Sequence, residues 1–293
     1  MRVLSLFDGI SCGQVALERA GKTVSEYHAF EIDKHAIWIT QKNYPNTIQH
    51  GDVFEDYFMG FGNVDLVMGG SPCTYWSKAK AHTAKIKREV DTTGIGWQLF
   101  ERFALALRIA KPKYFLYENN YGIPEEIEES ITKELDVNPI LINSNLVSCQ
   151  NRKRLYWTNI PGVNQPEDKG ILVKDIMVND PILIKTDERI KPIRTKNYVK
   201  YDLSGKGYFS QQDRAYFEEG KFPTVPRYRT DTKFNVWLGN QTYKKTCPAE
   251  VERMQTLPDN YTEGVPKTRR YEAIGNGWTV DVIAHILKGI EEG

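Results

Sequence analysis

Strand-like and helix-like segments take turns through the first 160 residues of this 293-residue chain. That alternation predicts a mostly parallel sheet with helices on both faces, because each β-to-β crossover needs a helix to return the chain. Val3–Phe7 reads as the first strand, Gly13–Ala20 as a short helix stopped at Gly21, and Glu26–Ile32 as the second strand. Lys34–Asn43 predicts a helix ended near Pro45, and Ile48 a short third strand running into Gly51-Asp52. Val64–Gly70 is a compact apolar run closed by a glycine pair, the pattern of a buried fourth strand. Between Trp97 and Ala110, Leu99, Phe103 and Leu107 recur every four residues, so one helical face is core and Pro112 ends it. Tyr114–Tyr117 is the fifth strand. Glu125–Leu135 is a helix opened by Pro124, with acids at the end of the dipole that favours them. Pro139–Val147 and Arg154–Thr158 bring the α/β sheet to about seven strands, and Trp278–Ile290 is helical again.

After Pro161-Gly162 the alternation stops. Residues 185–245 hold 14 Lys or Arg against 7 Asp or Glu, a balance of +7 in a chain whose formal charge is +1, and eleven aromatics are interleaved with them. Tyr198, Tyr208, Phe209, Tyr228 and Trp237 are among these. Cations mixed with aromatics suit phosphates and bases; a solvated β region has the same composition, so both readings stay open on composition alone. No apolar run approaches the roughly 20 residues of a membrane helix, and the start, Met1–Gly9, lacks the pattern of a signal peptide. The expectation is a cytoplasmic protein with no membrane role. Cys12, Cys73, Cys149 and Cys247 stand far apart with no C-x-x-C pair, which argues against a metal site and a disulfide framework.

Asp8-Gly9-Ile10-Ser11-Cys12-Gly13 follows the first strand and opens a helix, where backbone approaches a ligand closely. Glu31 ends the second strand, 22 residues after Gly9, placed for both hydroxyls of a ribose; Asp52 ends the third, placed for an adenine amino group. The set fits adenosine carrying a small group. At the end of the fourth strand lies Ser71-Pro72-Cys73-Thr74, followed by a basic loop with Lys78, Lys80, Lys85, Lys87 and Arg88. Such surroundings favour an exposed, reactive thiol. Glu118-Asn119-Asn120 ends the fifth strand, and Gln150-Asn151-Arg152-Lys153-Arg154 precedes a later one.

Taken in order, D-G-x-x-x-G, P-C, E-N, Q-x-R-x-R, the basic region, then Glu250-x-x-Arg253-x-Gln255 and Gly275-Asn276 resemble the C5 cytosine DNA methyltransferases over essentially the whole chain. Asn138-Pro139, Tyr156–Gly162 and Trp278 are similar to the animal de novo members. Departures are Thr74 where the family has Gln, Asn120 where it has Val, and Gly277-Trp278-Thr279 in the last motif. The resemblance implies a compact enzyme with a Rossmann-like fold. Residues 1–162 and 268–293 would form the catalytic and cofactor-binding domain. Residues 163–267 would form a small target recognition region that includes the E-x-x-R-x-Q motif.

It further implies S-adenosylmethionine as cofactor, held by Phe7, Asp8, Gly9, Ile10, Gly13, Glu31, Ile32, Asp52, Val53, Pro72, Asn276 and Trp278. Double-stranded DNA is the implied partner, contacted by Ser77, Lys78, Lys80, Arg194, Lys196, Arg227 and Arg229, in a restriction-modification setting. Oligomeric state stays open, with a monomer compatible. Cytosine C5 is too poor a nucleophile to take a methyl group from a sulfonium, so addition of Cys73 to C6 must first enrich it. By the resemblance Glu118 holds N3, while Arg152 and Arg154 neutralise the O2 side. The base must be flipped out of the stack, and the basic loop 78–96, with Gly94 and Gly96 as hinges, is the candidate to close over it. An RNA cytosine-C5 methyltransferase and a catalytically silent nucleic-acid-binding regulator are the alternatives.

Overall fold

A computed structural model of the chain describes residues 1–77, 88–178, 182–185, 193–200, 214–227, 234–240 and 242–291. Compactness divides it into two units. The first comprises Met1–Ile142, Lys153–Gln165 and Ile283–Gly293, and the second Asn143–Arg152 and Pro166–Val282.

Unit 1 holds the alternation seen in the sequence: β1 (Arg2–Leu6), α1 (Cys12–Arg19), β2 (Glu26–Phe30), α2 (Lys34–Asn43), β3 (Ile48–Gln49), β4 (Leu66–Gly69), α3 (Ile95–Ala110), β5 (Tyr114–Asn120), α4 (Glu125–Leu135) and β6 (Ile140–Asn143). β7 (Gln150–Asn151) follows in unit 2, and β8 (Lys153–Thr158) returns to unit 1. The seven-stranded sheet runs β3-β2-β1-β4-β5-β8-β6, parallel from β3 to β5, with β8 antiparallel to β5. The α/β, Rossmann-like class expected from the sequence is the observed one. Strand order reverses between β1 and β4, the switch point at whose carboxyl edge ligands of such sheets bind.

Local chemistry explains the element ends. Asp33 caps α2 by accepting from His35 N at 2.8 Å. Glu125, Glu126 and Glu128 occupy the first turn of α4, where anions complement the dipole. The expected single strand Pro139–Val147 stops at Asn143, whose side chain accepts from Asn145 N and Arg152 N, and a 3-10 turn (Ser144–Leu146) follows. Leu4, Val67, Phe100, Phe103, Tyr117 and Trp157 form the unit 1 core; each large apolar group so removed from water contributes about 1.5–3 kcal/mol.

Unit 2 carries β9 (Ile182–Lys185), β10 (Ile193–Arg194), β11 (Tyr198–Lys200), β12 (Arg214–Phe217), β13 (Phe222–Pro223), β14 (Asn235–Gly239) and β15 (Thr242–Lys245), then α5 (Pro248–Met254) and α6 (Lys267–Asn276). Six of these strands form a sheet in the order β10-β11-β12-β14-β15-β9, while β13 pairs with β7. Phe222, Phe234, Val251, Met254 and Tyr271 make its core. The last helix, α7 (Val280–Leu287), starts in unit 2 and ends in unit 1. Asn276 and Trp278, grouped from sequence with the catalytic domain, lie in unit 2.

Candidate active site

The five residues after β1 contain three left-handed conformations: Phe7, Gly9 and Ser11 have φ of 57°, 60° and 54°. Glycine accepts this freely; at Phe7 and Ser11 it costs on the order of 1 kcal/mol each and must be held by neighbours. Asp8 does much of the holding. Its carboxylate accepts from Ser5 Oγ at 2.7 Å, from Tyr27 Oη at 2.6 Å and from Ser11 Oγ. Burial pushes its pKa up to about 6, against the three hydroxyl donors that lower it. The side chain of Asp8 thus stabilises the turn from within, and Ile10 and Gly13 are packed into the unit 1 interior.

Glu31 lashes the end of β2 to the same turn. Oε2 accepts from Gly9 N, and Oε1 from Ile32 N and Asp33 N, all at 2.8 Å. Beside it Ile32 is 72% exposed, and among the described residues no atom beyond Gly9's own chain neighbours lies within 4 Å of where a β-carbon on Gly9 would stand. A carboxylate, an exposed apolar side chain and an open stretch of backbone therefore adjoin at one sheet edge. This donor set fits an adenosine-bearing cofactor. At the next strand end Asp52 Oδ1 accepts from Phe54 N at 3.0 Å, and Val53 is buried.

β4 leads into the thiol expected to be the nucleophile. Cys73 opens a one-turn 3-10 helix (Cys73–Tyr75), half-buried, behind exposed Pro72. Its carbonyl accepts from Trp76 N at 3.1 Å and Ser77 N at 2.9 Å. Gly69 stands opposite Tyr117 in the parallel β4–β5 pair, and the two strand ends are fastened by Ser71 Oγ and Tyr117 Oη at 2.6 Å. Asn119 Nδ2 adds a bond to the Ser71 carbonyl at 3.4 Å. Burial drives the Tyr117 phenol pKa well up, keeping it a neutral hydrogen-bonding group. Next along β5, Glu118 receives Arg154 Nε at 2.8 Å, and both side chains are only 12% exposed. Arg154 faces Asn120 across the antiparallel β5–β8 pair, so it meets Glu118 diagonally on one face.

Within unit 2 the remaining motifs meet in one buried network. Arg152 donates to the carbonyls of Val225 at 3.2 Å, Gly275 at 3.5 Å and Gly277 at 2.9 Å. Gln150 bonds Gln255 Oε1 at 2.8 Å and takes Val225 N at 3.2 Å. Gln255 in turn reaches Ile274 and Gly277 carbonyls at 2.9 and 3.0 Å. Glu250, fully buried, pairs with Lys244 and accepts from Cys247 N at 2.8 Å and Val178 N at 2.9 Å. Arg253 joins Asp259 to the Ile176 carbonyl. The Q-x-R and E-x-x-R-x-Q spacings are thus the parts of a brace. Asn276 is exposed at the end of α6 and Trp278 is half-buried after it.

Of the residues expected at DNA, Ser77 is half-buried, and Arg194, Lys196 and Arg227 are exposed, with Arg194 4.9 Å over the Phe217 ring. Lys78, Lys80 and Arg229 lie outside the described residues, as does the 78–87 part of the expected closing loop. Gly96, expected as a hinge, sits in the first turn of α3, and a β-carbon there would stand 2.7 Å from Trp76 Nε1. It is a packing glycine. The tie of Ser71 to Tyr117 and Asn119 was not foreseen, because their meeting depends on strand register. Among the described residues no group of three or more His, Cys, Asp or Glu could hold a metal ion, and no helix is long and apolar enough to cross a membrane.

A family model described as C-5 cytosine-specific DNA methylase matches residues 1–292. The chain is 26% identical over 336 residues to the type II methyltransferase M.NgoPII of Neisseria gonorrhoeae, covering 100% of this chain and 96% of that protein. It is 28% identical over 187 residues to the DNA (cytosine-5)-methyltransferase DRM2 of Oryza sativa subsp. japonica, 62% of this chain but only 31% of the relative's length. A solved structure titled as a prophage-encoded DNA modification methyltransferase of E. coli superposes with a TM-score of 0.69 at 20% identity. That match covers 99% of this chain and 98% of the other.

Proposed function

Since the chain belongs to the C-5 cytosine-specific DNA methylase family, we propose that it methylates C5 of a cytosine in duplex DNA through a covalent bond between Cys73 and C6. The observation that carries this reading is the pairing, at adjacent strand ends, of an accessible Cys73 with the Glu118–Arg154 ion pair. S-adenosylmethionine, when bound, supplies a methyl group on a positively charged sulfur. Glu31 would take a ribose hydroxyl, since a carboxylate accepts about four bonds and three are in use here. Ile32 and Asp52 would face the adenine, Gly9 the open approach beside it, and Asn276 and Trp278 are assigned to the same ligand by motif.

The reaction uses a flipped base. The Cys73 thiolate forms the S–C6 bond while Glu118, having taken up a proton from solvent as the base is bound, passes that proton to N3, and the ring becomes an enamine whose C5 is nucleophilic. Arg154 orients Glu118 and offsets charge on the O2 side. Once C5 carries the methyl group, its own proton passes to solvent and N3 returns its proton to Glu118. The S–C6 electron pair goes back to sulfur, releasing 5-methylcytosine and the thiolate. We assign Arg152 a holding role, in keeping with its bonds to three carbonyls. Arg194, Lys196, Arg227 and the basic residues around them are the proposed phosphate and base contacts, with duplex DNA as partner, the cytoplasm as setting and a restriction enzyme as a candidate companion.

DNA bearing 5-fluorocytosine tests the reading, because fluorine at C5 blocks the final proton loss. A stable protein–DNA adduct is expected on denaturing gels, and Cys73→Ala should abolish both adduct and methylation. An active preparation that forms no adduct, or full activity in Cys73→Ala, overturns the mechanism. Transfer to RNA but not DNA in parallel assays overturns the substrate.

A further inference from the structure

The proposed reaction needs two groups on two different segments, the turn after β4 and strand β5, to meet one ring, sulfur at C6 and carboxyl at N3. A misplacement of about 1 Å between such groups can cost on the order of 100-fold in rate. What fixes the nucleophile loop against the Glu118 strand is therefore part of the catalytic apparatus even if it never touches the base.

One tie is already described: Ser71, two residues before Cys73, is fastened to Tyr117 and Asn119, which flank Glu118. On the far side of Cys73 a second tie appears. Arg88 donates from Nε to the Trp76 carbonyl at 2.9 Å and from Nη2 to the Gly122 carbonyl at 3.1 Å. Trp76 closes the 3-10 turn that Cys73 opens, and Gly122 lies two residues past the end of β5. A planar guanidinium can hold two carbonyls on two loops at a fixed separation, which a lysine ammonium on a flexible stem cannot do equally well. Its neighbour fixes the clamp in place: Glu89 N donates to the Tyr75 carbonyl at 2.9 Å, and its carboxylate accepts from Gly96 N at 2.9 Å at the start of α3. Beneath them Trp76 is fully buried.

We propose that Arg88 is a positioning residue for the reaction, bridging the loop of Cys73 to the loop after Glu118 so that thiol and carboxyl keep their separation. The proposal rests on the roles given to Cys73 and Glu118 above. Cys73 is bracketed by ties at Ser71 and Trp76, Glu118 by ties at Tyr117, Asn119 and Gly122, and Arg88 supplies the one that closes the bracket.

Single-turnover methylation of DNA by Arg88→Ala should fall 10- to 100-fold, with the rate of 5-fluorocytosine adduct formation falling by the same factor. Affinity for S-adenosylhomocysteine, read by calorimetry, should stay within twofold, because the strand ends at Glu31 and Asp52 are untouched. Arg88→Lys, which keeps the charge and is the milder change to the fold, should show the same split with less than full recovery. A folded Arg88→Ala with wild-type rates overturns the proposal, as does loss of cofactor affinity in step with rate. Alkylation of Cys73 by iodoacetamide, followed by mass spectrometry of its peptide, is read alongside. A change of threefold or more in Arg88→Ala is expected, and an unchanged rate overturns the positioning role even if the wild-type protein methylates no DNA. Wild-type inactivity on DNA would instead count against the proposed function.

Discussion

Asp8 is an ordinary acid placed where water cannot reach it well. Burial raises its pKa from 3.8 to about 6 despite three hydroxyl donors. A carboxyl that holds its proton more tightly folded than unfolded adds stability in acid, and that contribution is lost as pH rises from about 4 through about 6. The span corresponds to something on the order of 3 kcal/mol. Asp8→Asn should flatten this part of the curve of urea midpoint against pH, whereas a slope unchanged from wild type would assign the titration elsewhere. At this scale, what could be read from sequence was set by chemistry: a thiol, a carboxylate and an arginine at strand ends are the groups that cytosine addition requires. Partners such as Ser5 and Tyr27 for Asp8, or Tyr117 for Ser71, carry no such mark. They meet only because β1 lies beside β2 and β4 beside β5 in one register.

Elements were legible where apolar periodicity was strong. α2 and α4 stand at the bounds the sequence predicts, and all seven strands of the main sheet were visible as β-type runs. α6 was missed because, with Gly275, it buries only Tyr271 and Ile274 in a sequence otherwise rich in charge, too little for a helical pattern to show. β6 ended earlier than its apolar run suggested, because Asn143 offers its side chain to two backbone amides. In unit 2 the junction of β15 and α5 depends on a buried ion pair, Lys244 with Glu250. Removing one partner of such a pair strands the other without water. Lys244→Ala should lower stability by about 3–5 kcal/mol, measured by urea unfolding. Lys244→Met together with Glu250→Gln should recover much of that loss, since the isolated buried charge is gone. Equal destabilisation in both variants would place the cost in lost packing rather than in charge.

For the molecule as a whole, the concentration of positive charge between 185 and 245 was plain from composition, but which side chains face outward was not. Arg194 and Lys196 are exposed on β10 and the turn after it. If both meet phosphates, replacing them with alanine should reduce the slope of log K against log salt for DNA binding by about 2 and weaken binding to all sequences alike. An unchanged slope would remove them from the interface. The order in which the chain visits its two units was legible only in part: the motif order groups residues 268–293 with residues 1–162, whereas by compactness the return to the first unit begins at Ile283. Yet Lys22 Nζ bonds the Ile290 carbonyl at 2.6 Å, and Ile286, Leu287 and Ile290 are buried. During synthesis, then, the first part of the chain must wait, its sheet made but its last wall missing, while Pro166–Val282 is translated. At about 5–20 residues per second that is roughly 10 s. For that interval the newborn protein carries an unsealed apolar face, the one that Ile286, Leu287 and Ile290 later cover.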